Sequence, residues 1–299
     1  MDASFIVELS IMYYGNDELL KNGKLSQPWL QDSIRFDLLL LENQLPFFVI
    51  EELFNKAFPH DRCGIPPSIL RLTYDYFWCF NLKQLEPNSD VKIKHFTDLI
   101  RLFRMQGQMS QGQHPFSEVA SHILLYNANK LQEAGIKLKA SDSKGLLDLR
   151  FSGHAPEIPK IRVDVYTELF WGNIIALEQC HYSDNAYIAD YALLFKWLID
   201  TDKDVDLLVH SVENHLGDTN NVALLFNGLS EHAVHSTFSS EYLDICQRLN
   251  GYCQNPFHKM KATLRRDYCG TPWQTVASIA AVVLLFLTIV QTIFSILQE

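Results

Sequence analysis

The far end of this chain restricts its fold more than any other stretch. From Tyr268 to Gln298 there is no charged residue, and the apolar heart of that run is VASIAAVVLLFLTIVQTIFSIL, Val276 to Leu297. At ~1.5 Å per residue, about 22 helical residues extend ~33 Å, enough to cross a hydrocarbon core of ~30 Å. A helix without a polar face belongs in lipid or wholly inside a protein. Just upstream, HKMKATLRRDY carries Lys259, Lys261, Arg265 and Arg266. Cations flanking a span stay on the cytoplasmic side. The expected organisation is therefore a cytoplasmic helical domain over 1–270 and a single-pass transmembrane anchor over 271–297, in the plasma membrane or an endomembrane.

The remainder suits a packed body. Hydrophobic residues make up 47% of the 299 positions and charged ones 20%, too apolar for a disordered chain. A net charge of −10 argues against nucleic acid as a partner, because duplex binding rests on neutralising phosphates. The six cysteines form no CxxC pair and read as reduced structural thiols. MDASFIVELSIMYYG lacks a basic n-region and is interrupted by Glu8, so it is not a signal peptide. None of the asparagines opens an N-x-Ser/Thr sequon, in keeping with a body outside the secretory lumen.

Apolar periodicity predicts a mainly α fold, an irregular multi-helix body with a small β-hairpin and a C-terminal transmembrane helix. Helices are expected over 4–13, 29–42, 46–57, 67–80, 95–105, 116–133, 165–180, 187–199, 204–216, 219–228, 239–249 and 256–268. Gly135 and Gly217 have the sequence context of helix C-caps. The hairpin is expected from the alternation of Leu147, Leu149 and Phe151 and from a second run, Ile158 to Val163. MQGQMSQGQHP, 105 to 115, reads as an exposed loop between two parts of the body.

One corner is unusual. In FDLLLLENQLPFFVIEEL, residues 36 to 53, Glu42, Asn43, Gln44 and Pro46 interrupt a dense apolar run. A carboxylate flanked by amides is costly in lipid, so this is no membrane span. Pro46 disfavours helix at Leu45 and suits the first turn of a new one. Asn43 or Gln44, with Asn43 the better capping type, is expected to satisfy the free N–H groups there.

DLLLLENQLPFFVIEELF closely resembles the signature of the plant family catalogued as domain of unknown function 247. AGIKLK, VDVYTELFWGNIIALEQC, LIDTDKDVDLL and LRRDYCGTPWQTVASIAAVVLLFLTIVQTIFSI resemble its later blocks, in the same order. The resemblance implies a single C-terminal membrane helix. It also implies kinship with grass members, some of which are self-incompatibility determinants. Family members carry a sizeable segment before the FIVEL block, so the resemblance implies that this N-terminal portion is missing here.

No complete chemical motif emerges. Glu42, Glu168 and Glu178 sit among apolar and amide residues, and two converging carboxylates would suit an uncharacterised hydrolase. On one helix, however, Glu168 and Glu178 lie ~15 Å apart. The favoured reading makes Glu42, Asn43, Gln44, Pro46, Glu168, Asn173, Glu178 and Gln179 a structural motif of caps and buried polar contacts, with no catalytic residue. Asp202, Asp204, Asp206 and Glu213 imitate a calcium loop but lack its glycine, as Leu207 stands there. The acids instead suit the first turn of a helix. His232 with His235, His210 with His215, and adjacent Cys180–His181 match neither a metal site nor a nucleophile–base pair. Gly107–Gly112 lacks the P-loop lysine, and GLSEH lacks the second glycine of a nucleophile elbow.

The expected function is thus recognition or signalling at a membrane, with no cofactor, metal or catalysis, and with the bilayer and an unidentified protein as partners. A tail-anchored trafficking adaptor and the hydrolase are the alternatives. The charge bias makes a direct prediction. A glycosylation sequon appended after Glu299 becomes glycosylated in microsomes, whereas one engineered into 105–115 does not; the reverse pattern contradicts the orientation.

Overall fold

The computed structural model describes residues 2–15, 24–59, 68–88, 91–105, 116–117, 125–143, 148–152, 155–208, 210–229, 238–268 and 272–297. The fold is mainly helical. In chain order the helices are α1 (Ala3–Gly15), α2 (Pro28–Asp37), α3 (Phe47–Ala57), α4 (Ile69–Tyr76), α5 (Phe96–Arg104) and α6 (Ala128–Glu133). They continue with α7 (Thr167–His181), α8 (Tyr187–Leu198), α9 (Asp202–Leu207), α10 (Thr219–Leu229), α11 (Ser240–Gln254), α12 (Pro256–Tyr268) and α13 (Pro272–Leu297). Helices α1, α3 and α4 pack together, α7 lies between α5 and α8, and α10 covers α8 and α9. A single apolar core runs through them from Ile6 to Leu249. Its aromatic centre includes Trp171 stacked on Tyr191 at 5.9 Å and Phe195 on Phe226 at 5.1 Å.

Several helix ends are set by local side chains. Ser68 accepts from the Arg71 N–H to start α4, and His95 accepts from the Asp98 N–H to start α5. Thr201 and Asp204 form a capping box at α9. The other oxygen of Asp204 accepts from Asn129 N–H at 2.8 Å, so one buried carboxylate serves the starts of both α9 and α6. Helix α6 ends in a Schellman turn: Ile136 N–H reaches Leu131 O and Gly135 N–H reaches Gln132 O. Gly135 takes φ +90° there, the left-handed backbone the turn demands.

The β structure departs from the expected single hairpin. β3 (Arg150–Ser152) and β4 (Ala155–Pro159) are antiparallel, but β2 (Lys139–Ser141) adds a parallel partner to β4. The run from Ile158 to Val163 is divided at Lys160. Its second part, β5 (Ile161–Val163), leaves that sheet and pairs in parallel with β6 (Val212–Asn214). The predicted helix over 204–216 therefore stops at Leu207, and Gly217, at φ +85°, follows a strand rather than capping a helix. Val212 is buried beside Ile161 and Val163, and that burial overrides the helical spacing of its neighbours. The predicted helix over 116–133 also divides: β1 (Phe116–Ser117) pairs with β7 (Phe238–Ser239), and only α6 is helical. Residues 106–115 of the expected loop, and Leu147 of the hairpin, lie outside the described residues.

The corner after α2 joins helices, with its bonds directed differently from expectation. Pro46 is the N-cap of α3 rather than its first residue, and no side chain caps that start. Asn43 Nδ2 instead donates to Asp37 O at 3.0 Å, at the end of α2. Gln44 does most. Its Nε2 donates to Leu38 O at 2.6 Å and Leu40 O at 2.9 Å, while Oε1 accepts from Thr97 N–H at the start of α5. Thr97 Oγ1 returns a bond to Leu39 O, and Asn173 on α7 accepts from Leu41 N–H at 2.8 Å. One corner is thereby fastened to α2, α5 and α7.

Because Gln44 serves donors and acceptors on two elements, Gln44→Leu should destabilise the protein by ~1–3 kcal/mol through unsatisfied partners. Asn43→Leu, which removes one exposed bond, should cost less than about 1 kcal/mol. Urea titration of both variants checks the order; equal losses would contradict it.

Candidate functional site

Where α5, α7 and α8 meet, the apolar core holds an ion pair. Arg101 projects from α5 and is 4% exposed; Glu178, near the end of α7, is 0% exposed. Glu178 Oε1 accepts from Arg101 Nε at 2.8 Å. Its Oε2 accepts from the Ile188 and Ala189 N–H groups at 3.0 and 2.9 Å. Those amides open α8, where four N–H groups lack partners within the helix and the dipole favours an anion. Arg101 Nη2 donates to Asn185 O at 2.6 Å, in the turn between α7 and α8. The guanidinium lies 4.0 Å from the centre of the Tyr182 ring, and the Tyr182 hydroxyl donates to Asp98 on α5 at 2.7 Å. Asp98 in turn accepts from Lys94 N–H.

Burial pushes the Glu178 carboxyl above its ordinary value, while Arg101 and the Ala189 N–H pull it back down. Burial likewise raises the Tyr182 hydroxyl, reinforced by Asp98. With both Glu178 oxygens engaged in the core, the chemistry of this cluster is that of a fastener between three helices.

The other sequence candidates are dispersed. Glu42 and Glu168 are exposed, so neither is the buried acid expected, and Glu178 lines none of the described clefts. Asn173 bonds Leu169 O as well as the corner. Gln179 Nε2 is enclosed without a hydrogen-bond partner among the described residues. Asp204 is committed to helix starts, while Glu213 stands on β6. Cys180 is exposed, and His232 and His235 lie outside the described residues. Lys259, Lys261, Arg265 and Arg266 all fall on α12.

A second feature escaped the sequence reading. A cleft of about 520 Å³ opens between α2, the end of α5, β5 and the start of α7. Arg35, Arg104, Phe36, Phe80, Tyr166 and Phe170 contribute to its lining. Arg101 and Arg104 stand one turn apart in FTDLIRLFR, so cations on an otherwise apolar helix face were the available signal.

The fold and these sites define a mainly helical body continuing into a long apolar helix, and the family follows from the comparison of sequences. The chain belongs to DUF247, a plant protein family of unknown function, whose profile matches residues 1–287. It is similar to the "UPF0481 protein At3g47200" of Arabidopsis thaliana, at 28% identity over all of this chain and 67% of that relative. The "Putative UPF0481 protein At3g02645" of Arabidopsis thaliana is 25% identical over 58% of this chain and 33% of its own length. No solved structure is significantly similar to the chain.

The buried pair yields a pH test. A carboxyl raised above its unfolded value contributes stability that is fully present in acid and lost as pH rises through the folded value. Arg101→Met removes both influences of Arg101 that lower Glu178, so the rise grows and the loss with pH steepens. At pH 8 the variant should lose ~3–5 kcal/mol, as expected for a broken buried pair. The loss should shrink toward pH 5, and adding Glu178→Gln should flatten the dependence. Denaturant titrations at the two pH values check it; a pH-independent loss would contradict the account.

Proposed function

We propose that this protein is a membrane-tethered recognition protein whose helical body holds a protein partner at the cytoplasmic face. The observation that carries the proposal is α13. Trp273–Phe294 has a mean hydropathy of 2.5, is long and apolar enough to cross a membrane, and has none of its length buried in the structure. Such exposed apolar surface is costly in water and is stable in lipid.

Helix α12 supports the same reading. Phe257, Met260 and Leu264 recur at helical spacing and are all exposed, 73%, 56% and 48%. With the cations of the same helix they suit a segment lying at a membrane surface, where each cation near an anionic leaflet adds ~1 kcal/mol. The self-recognition role implied by resemblance to grass members is one form of such binding. The exposed positions of Glu42 and Glu168 and the enclosure of Glu178 give the hydrolase reading no support.

Tethering raises the effective concentration of a weak partner without a new contact. Deleting Val276–Leu297 should therefore abolish crosslinking to the partner in cells. Replacing α13 by an unrelated span should restore it, and Glu168→Gln should leave it intact. Crosslinking yields at matched expression check this; association unchanged by the deletion would remove the tethering argument. A turnover activity abolished by Glu168→Gln would instead support catalysis.

A further inference from the structure

The two arginines of α5 have opposite surroundings. Arg101 receives a carboxylate, a backbone carbonyl and a tyrosine ring. Arg104, one turn later, makes no side-chain hydrogen bond or salt bridge to any described residue. Its Nε is enclosed without a partner, and its guanidinium has only the Phe170 ring, at 5.1 Å. The remaining cations of the cleft each contact a carboxylate: Arg35 that of Asp32 at 2.7 Å, Lys160 that of Asp142 at 2.7 Å, and Arg162 that of Asp164 at 3.4 Å, although Arg35 Nε, like that of Arg104, is enclosed without a partner. Arg104 is therefore the cation of this cleft that no carboxylate contacts among the described residues.

A cation with an enclosed Nε and no anion in contact is unfavourable, and the cleft's Asp32 and Asp164 are already engaged by Arg35 and Arg162. The missing anion fits best as part of a ligand. The cleft's volume, about 520 Å³, lies in the range of small-molecule sites. Its walls carry two stacked ring pairs, Phe36 with Tyr166 at 4.1 Å and Phe80 with Phe170 at 5.4 Å. Flat apolar walls favour a planar ring, and one guanidinium fork matches one carboxylate. A phosphate dianion is disfavoured, because Asp32, Asp164 and Glu213 also line the cleft and repel a second negative charge.

We propose that the cleft between α2, α5, β5 and α7 binds a small aromatic monocarboxylate, with Arg104 holding its carboxylate. Burial lowers the Arg104 guanidinium to about 10, which leaves it charged at neutral pH and able to serve that role. The proposal is independent of the membrane tether and of any protein partner.

The test uses the full-length protein in detergent micelles, with sodium benzoate as probe, benzamide as its neutral isostere and inorganic phosphate as a bare anion. Sodium chloride holds ionic strength constant. Benzoate should raise the melting temperature saturably, and ligand-observed NMR should show its ring in contact with the protein. Benzamide and phosphate should do neither. Arg104→Gln should fold at least as stably as the parent, because it removes an unpaired cation, and should weaken benzoate at least tenfold. Arg104→Lys, which keeps the charge but loses the fork, should bind at an intermediate level. Benzoate binding unaffected by Arg104→Gln, binding of benzamide equal to benzoate, or no binding of benzoate would each overturn the proposal. Phosphate competing as well as benzoate would overturn its aromatic part. Unfolding of both Arg104 variants would make Arg104 a structural residue and overturn it as well.

Discussion

The contact between Arg101 and Glu178 holds together parts of the chain that local structure alone would leave separate. Glu178 spends one oxygen on Arg101 and the other on the first amides of α8, so the carboxylate is both ion-pair partner and helix cap. Arg101 closes the turn between α7 and α8 through Asn185 O. A buried pair is not in itself a strong source of stability, because desolvation offsets much of the attraction. Its value here lies in direction. An apolar contact at this junction would tolerate rotation of α8 against α7, whereas these bonds admit one arrangement.

The same device recurs around the molecule. Asp204 joins the starts of α9 and α6, and Gln44 joins the end of α2 to the start of α5. Short helices bury little surface each and depend on such fasteners at their ends. Helix α5 receives both kinds: its start is held by Gln44 and its middle by Glu178, which fixes where Arg104 stands. The unmatched arginine at the end of α5 is thus positioned by matched polar groups earlier on the same helix. Helices α12 and α13 follow a different rule, with apolar side chains left in the open.

Much of this organisation was legible from residue order alone. The apolar end needs only composition, and most helices follow from spacing: α3, α8 and α12 lie within a residue or two of their expected limits. The polar corner was visible as amides within an apolar run, but its bonds were not, since Gln44 reaches 53 residues to Thr97 and Asn173 reaches 132 to Leu41. The same distance in sequence hid Arg101 from Glu178, which are 77 residues apart. Glu42 and Glu168 resembled buried acids because their neighbours are apolar, although on a helix those neighbours face other directions. Strands of three residues, such as β5 and β6, are too short to show a period, and their pairing is decided by burial of Ile161, Val163 and Val212 on one face.

Native-state hydrogen exchange at single-amide resolution tests the central claim most directly. If Glu178 and Arg101 bind α5, α7 and α8 into one unit, the Ile188 and Ala189 amides should open only with the cores of α5 and α7, at the same free energy and with the same dependence on denaturant. Rapid local exchange at Ile188 and Ala189, while α5 and α7 remain protected, would show that the start of α8 opens independently of the pair and would contradict the account.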